Sequence, residues 1–96
     1  MDVRRTDVFD RWLKSLRDTR GRARVLVRIE RLAMGNPGDV APIGDGCSEL
    51  RIHDGPGYRV YYKRERDRIT LSLGGDKATQ AQDIAEAKAL AKQLKE

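Results

Sequence analysis

The sequence predicts one α+β domain, in which two N-terminal helices and a C-terminal helix accompany an antiparallel sheet of three to four strands. Apolar residues recur with a helical period before residue 35. They alternate with polar residues from Glu49 to Leu73 and return to a helical period near the C-terminal end. Ninety-six residues, 39% of them hydrophobic, suffice for one thin two-layer core, so residues 1–96 are expected to form a single domain.

The first third of the chain predicts a helical hairpin. Thr6 can cap a first helix that ends near Asp18. The buried stripe of this helix consists of Phe9, Trp12, Leu13 and Leu16. A second helix is predicted from Arg22 to Met34, where Gly35 and a following proline stop it. Its buried stripe consists of Leu26, Ile29, Leu32 and Ala33.

The middle of the chain predicts an edge strand followed by a three-stranded meander. Residues 40–43 read VAPI, and their proline restricts them to the edge of a sheet. The alternation from Glu49 to Leu73 is interrupted by DGPG at 54–57 and by RERD at 64–67. Such strands carry one packed, apolar row and one solvated, polar row.

Facing residues of paired strands share a face, and this restricts the register. The first hairpin then needs a loop with an odd number of residues, so Arg51 faces Arg59 or Tyr61. In the second hairpin, Lys63 is expected to face Arg68 across a four-residue loop.

The C-terminal segment predicts a turn and a last helix. The two glycines of GGDK, residues 74–77, are expected to make the turn, and Thr79 with Gln82 resembles a capping box. The apolar stripe of the helix consists of Ile84, Ala87, Ala91 and Leu94.

The polar row is the candidate site. It consists of Arg51, His53, Arg59, Tyr61, Lys63, Thr70 and Ser72, with Lys77 after the last strand. We expect no carboxylate on this row, so its cations need an anion, and a phosphodiester is the natural ligand. In RNA cleavage through the 2′-hydroxyl, His53 could act as acid or base, while Arg51 and Arg59 hold phosphate oxygens. Tyr61 or Lys77 could assist proton transfer.

The net charge of +5 is concentrated at the N-terminal end. Residues 1–35 hold ten Lys and Arg against five Asp and Glu. We expect Arg24, Arg28 and Arg31 to contact RNA or an acidic partner, and Lys63 to contact phosphate.

The residue inventory excludes several classes of protein. A single cysteine, Cys47, provides no disulfide framework within the chain. GGDK lacks the spacing of a nucleotide-binding loop, and no residue cluster has metal-ligand spacing, so neither a metal nor a cofactor is expected. No signal peptide or membrane-spanning segment is evident, so we expect a cytoplasmic protein with no membrane partner.

The chain resembles the RelE/HigB-type toxins of bacterial type II toxin-antitoxin modules, in the RelE/ParE superfamily, and especially the addiction module killer proteins. The matching segments are FDRWLKSLRD at 9–18, RIERLAMGNPGD at 28–39, ELRI at 49–52, GPGYRVYY at 55–62, GGDK at 74–77, TQ at 79–80 and DI at 83–84. The likeness spans nearly the whole chain.

This resemblance implies a RelE-like fold and metal-independent cleavage of mRNA on the ribosome, which inhibits translation. Arg51 and Arg59 match the basic strand positions of the family and would stabilise the phosphate in the transition state. Lys77 lies where many relatives carry a basic pair, and the general acid stays open because the terminal tyrosine or histidine of some members is absent. The resemblance also implies a cognate antitoxin encoded by the adjacent gene, often with a helix-turn-helix.

Two alternatives remain open. ParE-like toxins use the same fold to inhibit DNA gyrase without cutting RNA. A degenerate toxin could act only as an antitoxin-binding module.

Overall fold

A five-stranded mixed sheet carries helices on both faces in the computed structural model, which describes residues 1–94. The elements in chain order are β1 (Asp2–Arg5), α1 (Asp7–Ser15), α2 (Thr19–Ala33), β2 (Val40–Gly44), β3 (Cys47–Ile52), β4 (Tyr58–Glu65), β5 (Arg68–Asp76), a 3-10 turn (Lys77–Thr79) and α3 (Gln80–Gln93). The strand order is β1-β5-β4-β3-β2. The α+β class is therefore confirmed, but the predicted count of three to four strands is wrong.

The strand missing from the prediction is β1, which pairs parallel to β5 and makes the sheet mixed rather than antiparallel. Its four residues, DVRR, include one apolar side chain, the partly buried Val3, so they show no alternation. The edge strand at 40–43 is confirmed as β2, which extends to Gly44.

The two predicted N-terminal helices form, with shifted boundaries. Thr6 caps α1, since its Oγ1 accepts a hydrogen bond from the Phe9 amide at 3.0 Å. The helix ends at Ser15, before the predicted end near Asp18. Asp18 instead caps α2 by accepting from the Gly21 amide at 3.0 Å, so the second helix begins at Thr19 rather than Arg22.

The buried side of α2 is also rotated from the prediction. Val25, Ile29 and Leu32 are buried, whereas Leu26 is 37% exposed. Gly21 lies on the same buried side because a Cβ there would collide with the ring of Tyr58. The prediction that Leu26 is buried is therefore wrong.

The main core lies between the two helices α1 and α2 and one face of the sheet. Its buried members are Phe9, Leu13, Val25, Ile29, Leu32, Leu50, Ile52, Tyr58, Val60, Tyr62, Ile69 and Leu71. The partly buried Trp12 packs against it, with its ring centroid 6.2 Å from that of Tyr58. A smaller cluster of Tyr61, Leu73 and Ala87 lies on the opposite face, under α3.

The β3–β4 hairpin agrees with the parity argument. Ile52 pairs with Tyr58 and Arg51 with Arg59, so the loop comprises residues 53–57, an odd number. This pairing brings the two predicted phosphate-binding arginines onto adjacent positions of one sheet face.

The β4–β5 hairpin departs from the predicted register. Glu65 pairs with Arg68 across a two-residue turn, so Lys63 faces Thr70 rather than Arg68. Arg66 occupies this turn with φ of +51°, a left-handed conformation that a tight hairpin requires. The predicted four-residue loop is therefore wrong.

A β-bulge at Ser72 reverses the facing of β5. Tyr62 pairs with Leu71 and Tyr61 with Leu73, which leaves Ser72 as the extra residue. The Ser72 hydroxyl donates to the Tyr61 carbonyl at 3.1 Å and so satisfies part of the interrupted ladder. Beyond the bulge, Leu73 packs with Tyr61 on the α3 side, whereas it was predicted to share the row of Leu71.

The two glycines of GGDK lie within β5 and not in a turn. A Cβ on Gly74 would collide with the ring of Trp12, and one on Gly75 would collide with the carboxylate of Asp83. Helices therefore approach both faces of the sheet closely at this point.

The last helix begins without the predicted capping box. The Thr79 hydroxyl donates to the Asp83 carboxylate at 2.6 Å instead of capping α3. Ala87 and Ala91 are buried, as predicted for the apolar stripe. Among residues 1–94, no helix is long and apolar enough to cross a membrane.

Candidate functional site

Glu49 stands at the centre of the polar row, which was predicted to hold no carboxylate. Its side chain is 1% exposed. Oε1 accepts from Arg51 Nε at 3.0 Å and lies 3.5 Å from Arg59 Nη1. Oε2 accepts from the Tyr61 hydroxyl at 3.0 Å and from Gln80 Nε2 at 2.9 Å. One buried carboxylate thus joins β3, β4 and α3.

The surroundings of Glu49 keep it ionised. Burial raises the pKa of this carboxyl, but hydrogen bonds from Arg51, Gln80 and Tyr61, with the nearby charge of Arg59, outweigh burial and lower the pKa overall. The same contact raises the pKa of Arg51. Glu49 therefore supplies the negative charge that the two arginines were expected to need from a ligand.

The predicted solvated face is wrong for the middle of the row. Tyr61 is fully buried under α3, where it packs with Ala87, and Ser72 at the bulge is 1% exposed. Burial, and then the hydrogen bond to Glu49, raise the pKa of Tyr61 far above that of a free phenol. Tyr61 therefore stays a protonated donor to Glu49, out of reach of solvent.

Lys63 lies at the far end of the row, against the C-terminal end of α3. Its Nζ donates to the carbonyls of Ala91 and Leu94, both at 3.3 Å, and lies 3.6 Å from the Glu65 carboxylate. A cation at a helix C-terminus satisfies unpaired carbonyls and complements the helix dipole. These contacts give Lys63 a structural place, and its phosphate contact stays a prediction.

The opposite end of the row opens into a cleft beside the β3–β4 loop. The lining residues are His53, Asp54, Gly55, Pro56, Gly57, Arg59 and Lys77. The cleft brings together three predicted catalytic residues, His53, Arg59 and Lys77. Arg59 is the buried member of this lining, with 11% of its side chain exposed, and its Nε has no hydrogen-bond partner among residues 1–94. Because Nε is itself buried, the cleft is reached only by the small exposed part of this guanidinium, whose Nη1 contacts Glu49.

His53 is 70% exposed and follows directly after β3. Its Nε2 contacts the carboxylate of Asp39 in the loop before β2. This hydrogen bond is the main cause of the lowered pKa of Asp39. The other oxygen of Asp39 lies 3.9 Å from Arg51 Nη1, so Asp39 links His53 to the arginine pair.

The three arginines predicted on α2 differ in their contacts. Arg28 donates to the Arg51 carbonyl at 2.7 Å and to the Pro37 carbonyl at 2.8 Å, and thus ties α2 to the loop before β2. Arg24 and Arg31 are exposed on the outer surface. Their contact with RNA or a partner stays a prediction.

Glu49, Gln80 and Asp39 were absent from the predicted site. Parity carried a signal for Glu49, because it lies two residues before Arg51 on the same strand and so shares its face. Gln80 and Asp39 lie in the matched segments TQ and RIERLAMGNPGD, but alternation gives neither a place on the row. A helix packed on the sheet and a loop folded beside it bring them in.

Cys47 is buried, and burial is the main cause that raises the pKa of its thiol, which makes it a poor nucleophile. Within residues 1–94, no group of three or more His, Cys, Asp or Glu side chains is arranged to hold a metal ion.

The fold and this site define a small α+β protein with a basic cleft at the open end of a buried glutamate–arginine network. A protein of Haemophilus influenzae, described as uncharacterized, is 45% identical to it over 95 residues, which cover 98% of this chain and 96% of that protein. The chain belongs to the same family as this Haemophilus protein. No family model matches the sequence.

Proposed function

We propose that this protein is the cytoplasmic toxin of a bacterial type II toxin-antitoxin module and that it cleaves mRNA on the ribosome, as RelE/HigB-type toxins do. The observation that carries the proposal is the Arg59 guanidinium, which contacts Glu49 and lines one cleft with His53 and Lys77. The arrangement of two N-terminal helices on one face of a β-meander supports a RelE-like fold. The resemblance of the ELRI and GPGYRVYY segments points in the same direction.

The proposed chemistry needs no metal ion. The RNA 2′-oxygen attacks the adjacent phosphorus while the bond from phosphorus to the 5′-oxygen breaks. A base must remove the 2′-hydroxyl proton, and an acid must protonate the leaving oxygen. His53 fits one of these proton transfers because its imidazole is exposed at the cleft and either ring nitrogen can donate or accept a proton.

Arg59 would stabilise the charge that builds on the phosphate oxygens. Glu49 holds one end of the guanidinium, so little conformational entropy is lost when the other end meets an anion. Arg51 would contribute from beside it, and Lys77 would add a second cation at the cleft. Tyr61 is fully buried and donates to Glu49, so its contact favours a positioning role over proton transfer.

Glu49 also favours a second candidate function. Because this carboxylate balances Arg51 and Arg59, the arginine pair is stable without any phosphate ligand. A ParE-like gyrase inhibitor, or a degenerate toxin that only binds its antitoxin, would fit such a balanced site. In each case the partner is a cognate antitoxin, expected to be a helix-turn-helix protein encoded by the adjacent gene.

The candidate functions can be distinguished by inducing the protein in cells without its antitoxin. Mapping of mRNA 5′ ends and a gyrase supercoiling assay are then run side by side. In-frame cuts in translated messages support the nuclease, and loss of supercoiling without cuts supports the gyrase inhibitor. Neither effect, in a folded protein, supports the binding module.

Arg59→Ala tests the residue that carries the proposal. In this variant Glu49 keeps its hydrogen bonds from Arg51, Tyr61 and Gln80, so the fold should persist. Loss of one charge-stabilising donor should raise the barrier by ~2 to 4 kcal/mol and relieve growth arrest. Arg64→Ala, at an exposed position of the same strand, is the matched control and should stay toxic. Full toxicity of a folded Arg59→Ala protein would remove Arg59 from the mechanism.

A further inference from the structure

The outer face of α2 carries apolar side chains that the core does not bury. Val27 is 42% exposed, and Met34, the C-cap residue that directly follows the helix, is 78% exposed, while the opposite side of the helix buries Val25 and Ile29. Seven residues make about two helical turns, so Val27 and Met34 lie on one line. The exposed Ala23 lies one turn before Val27 on the same line.

Three exposed arginines run beside this apolar line. Each of them stands three residues before one apolar member, and the pairs are Arg20 with Ala23, Arg24 with Val27, and Arg31 with Met34. Residues three apart are neighbours on a helix surface, so the arginine row and the apolar line are parallel. Arg24 and Arg31 make no ion pair within residues 1–94, and Glu30 is the one acidic residue of α2.

We propose that this surface, the α2 outer face, docks an acidic amphipathic helix of a partner protein. The apolar line would receive the apolar stripe of that helix, and the arginine row would pair with carboxylates beside the stripe. The surface from Arg20 to Met34 is about 21 Å long, which matches about four turns of a partner helix. The proposal rests on the proposed function only in taking that helix to belong to the antitoxin.

Charge and exposure argue against two other occupants. RNA phosphates would engage the arginines but give no use to the exposed Val27 and Met34. A second copy of this chain would bring two arginine rows together, with one glutamate on each helix to offset them. An acidic partner with an apolar stripe would pair with the arginine row and cover the apolar line at the same time.

Two synthetic peptides of about four helical turns would test this docking. One carries a leucine stripe flanked by glutamates, and the matched peptide has lysine in place of every glutamate. Each is titrated into the full-length, ¹⁵N-labelled protein, and amide chemical shifts locate the binding. We expect the acidic peptide to saturate and to shift the amides of α2, and the basic peptide to shift neither α2 nor the cleft.

Two double variants test the contributions of the arginine row and the apolar line separately. Arg24→Glu with Arg31→Glu, and Val27→Gln with Met34→Gln, should each weaken binding by about tenfold or more. Arg64→Glu with Arg66→Glu makes the same charge change at exposed positions of the β4–β5 hairpin, and should change affinity by less than about twofold.

The docking proposal is overturned if the acidic peptide does not bind, or if it binds both α2 variants as tightly as the wild-type protein. It is also overturned if an RNA oligonucleotide occupies α2 in preference to the peptide, or if α2 mediates self-association. Peptide binding is measured without any toxicity or cleavage assay. A failed nuclease proposal therefore leaves a positive peptide result intact, and the reverse also holds.

Discussion

The two faces of the sheet are both covered by helices, but by different chemistry. Toward α1 and α2 the face is apolar, with Leu50, Val60 and Leu71 fully buried. Toward α3 it buries Glu49 and Arg59 in a network of charged hydrogen bonds that ends at the open cleft. Apolar burial needs only shape and volume, whereas a buried charge needs a specific partner. Substitutions on the apolar face should therefore act through lost packing, and those on the α3 face through lost charge partners.

Glu49→Ala should have the largest effect. It leaves Arg59 buried without its partner and removes the acceptor of Tyr61 and Gln80, so the free energy of unfolding should fall by ~3 to 5 kcal/mol. Urea unfolding measures this change.

Glu65→Ala is the control for this prediction. Glu65 makes an ion pair with Lys63 at 3.6 Å and is 34% exposed, so its loss should cost less than about 1 kcal/mol. Equal losses in the two variants would mean that the Glu49 network does not stabilise the fold.

Leu71→Ala tests the apolar face. The free energy of unfolding should fall by ~2 to 4 kcal/mol, because the substitution leaves a cavity in the main core. Unlike Glu49→Ala, this variant keeps every hydrogen bond of the Arg59 network. Growth arrest per folded molecule should therefore stay at the wild-type level, after correction for the folded fraction by urea titration. A loss of toxicity beyond that fraction would contradict the separation of the two faces.

Much of this architecture was predictable because alternation is a local property. The parity of residues 49–63 was enough to pair Arg51 with Arg59 across an odd loop, as observed. The bulge at Ser72 was not predictable, since one extra residue changes no local pattern and yet turns Leu73 to the opposite face. β1 lacked the two or more apolar residues that alternation requires.

The site was predictable only in part, for a different reason. Alternation assigned Arg51, His53 and Arg59 to one row, and the structure brings His53 and Arg59 to one cleft. Whether a polar row is solvated depends on what packs over it, and the alanine stripe of α3 gave no register against the sheet. Alternation therefore predicts that Tyr61 is exposed to solvent, although it is fully buried.

Substitution of the adjacent glycines of β5 allows a comparison of the two faces at one place in the sheet. Gly74→Ala presses a methyl group into the ring of Trp12, whereas Gly75→Ala presses it against the tip of Asp83. Overpacking should cost ~1 to 3 kcal/mol, and more at Gly74, because a packed ring yields less than the end of a side chain. Thermal unfolding of the two variants measures this order. A larger loss in Gly75→Ala would show that the α3 side is the tighter one.

The smallest expected effect is a difference in acid stability. The pKa of Glu49 is lowered in the folded state, so its contribution is fully present above the unfolded value of about 4.3. That contribution is lost as the pH falls from there through the lowered folded pKa. In urea unfolding between neutral and acid pH, Glu49→Gln should lose less stability on acidification than the wild-type protein. Parallel pH profiles would mean that the network does not depress this pKa.

The central claim is that Glu49 holds Arg59 where a substrate phosphate can meet it. The direct measurement is single-turnover cleavage of mRNA on purified ribosomes by the wild-type, Arg59→Ala and Arg64→Ala proteins. We predict cleavage by the wild-type and Arg64→Ala proteins, and a rate for folded Arg59→Ala that is lower by about 30-fold to 1,000-fold. No cleavage by the wild-type protein, or equal rates for all three, would contradict the account.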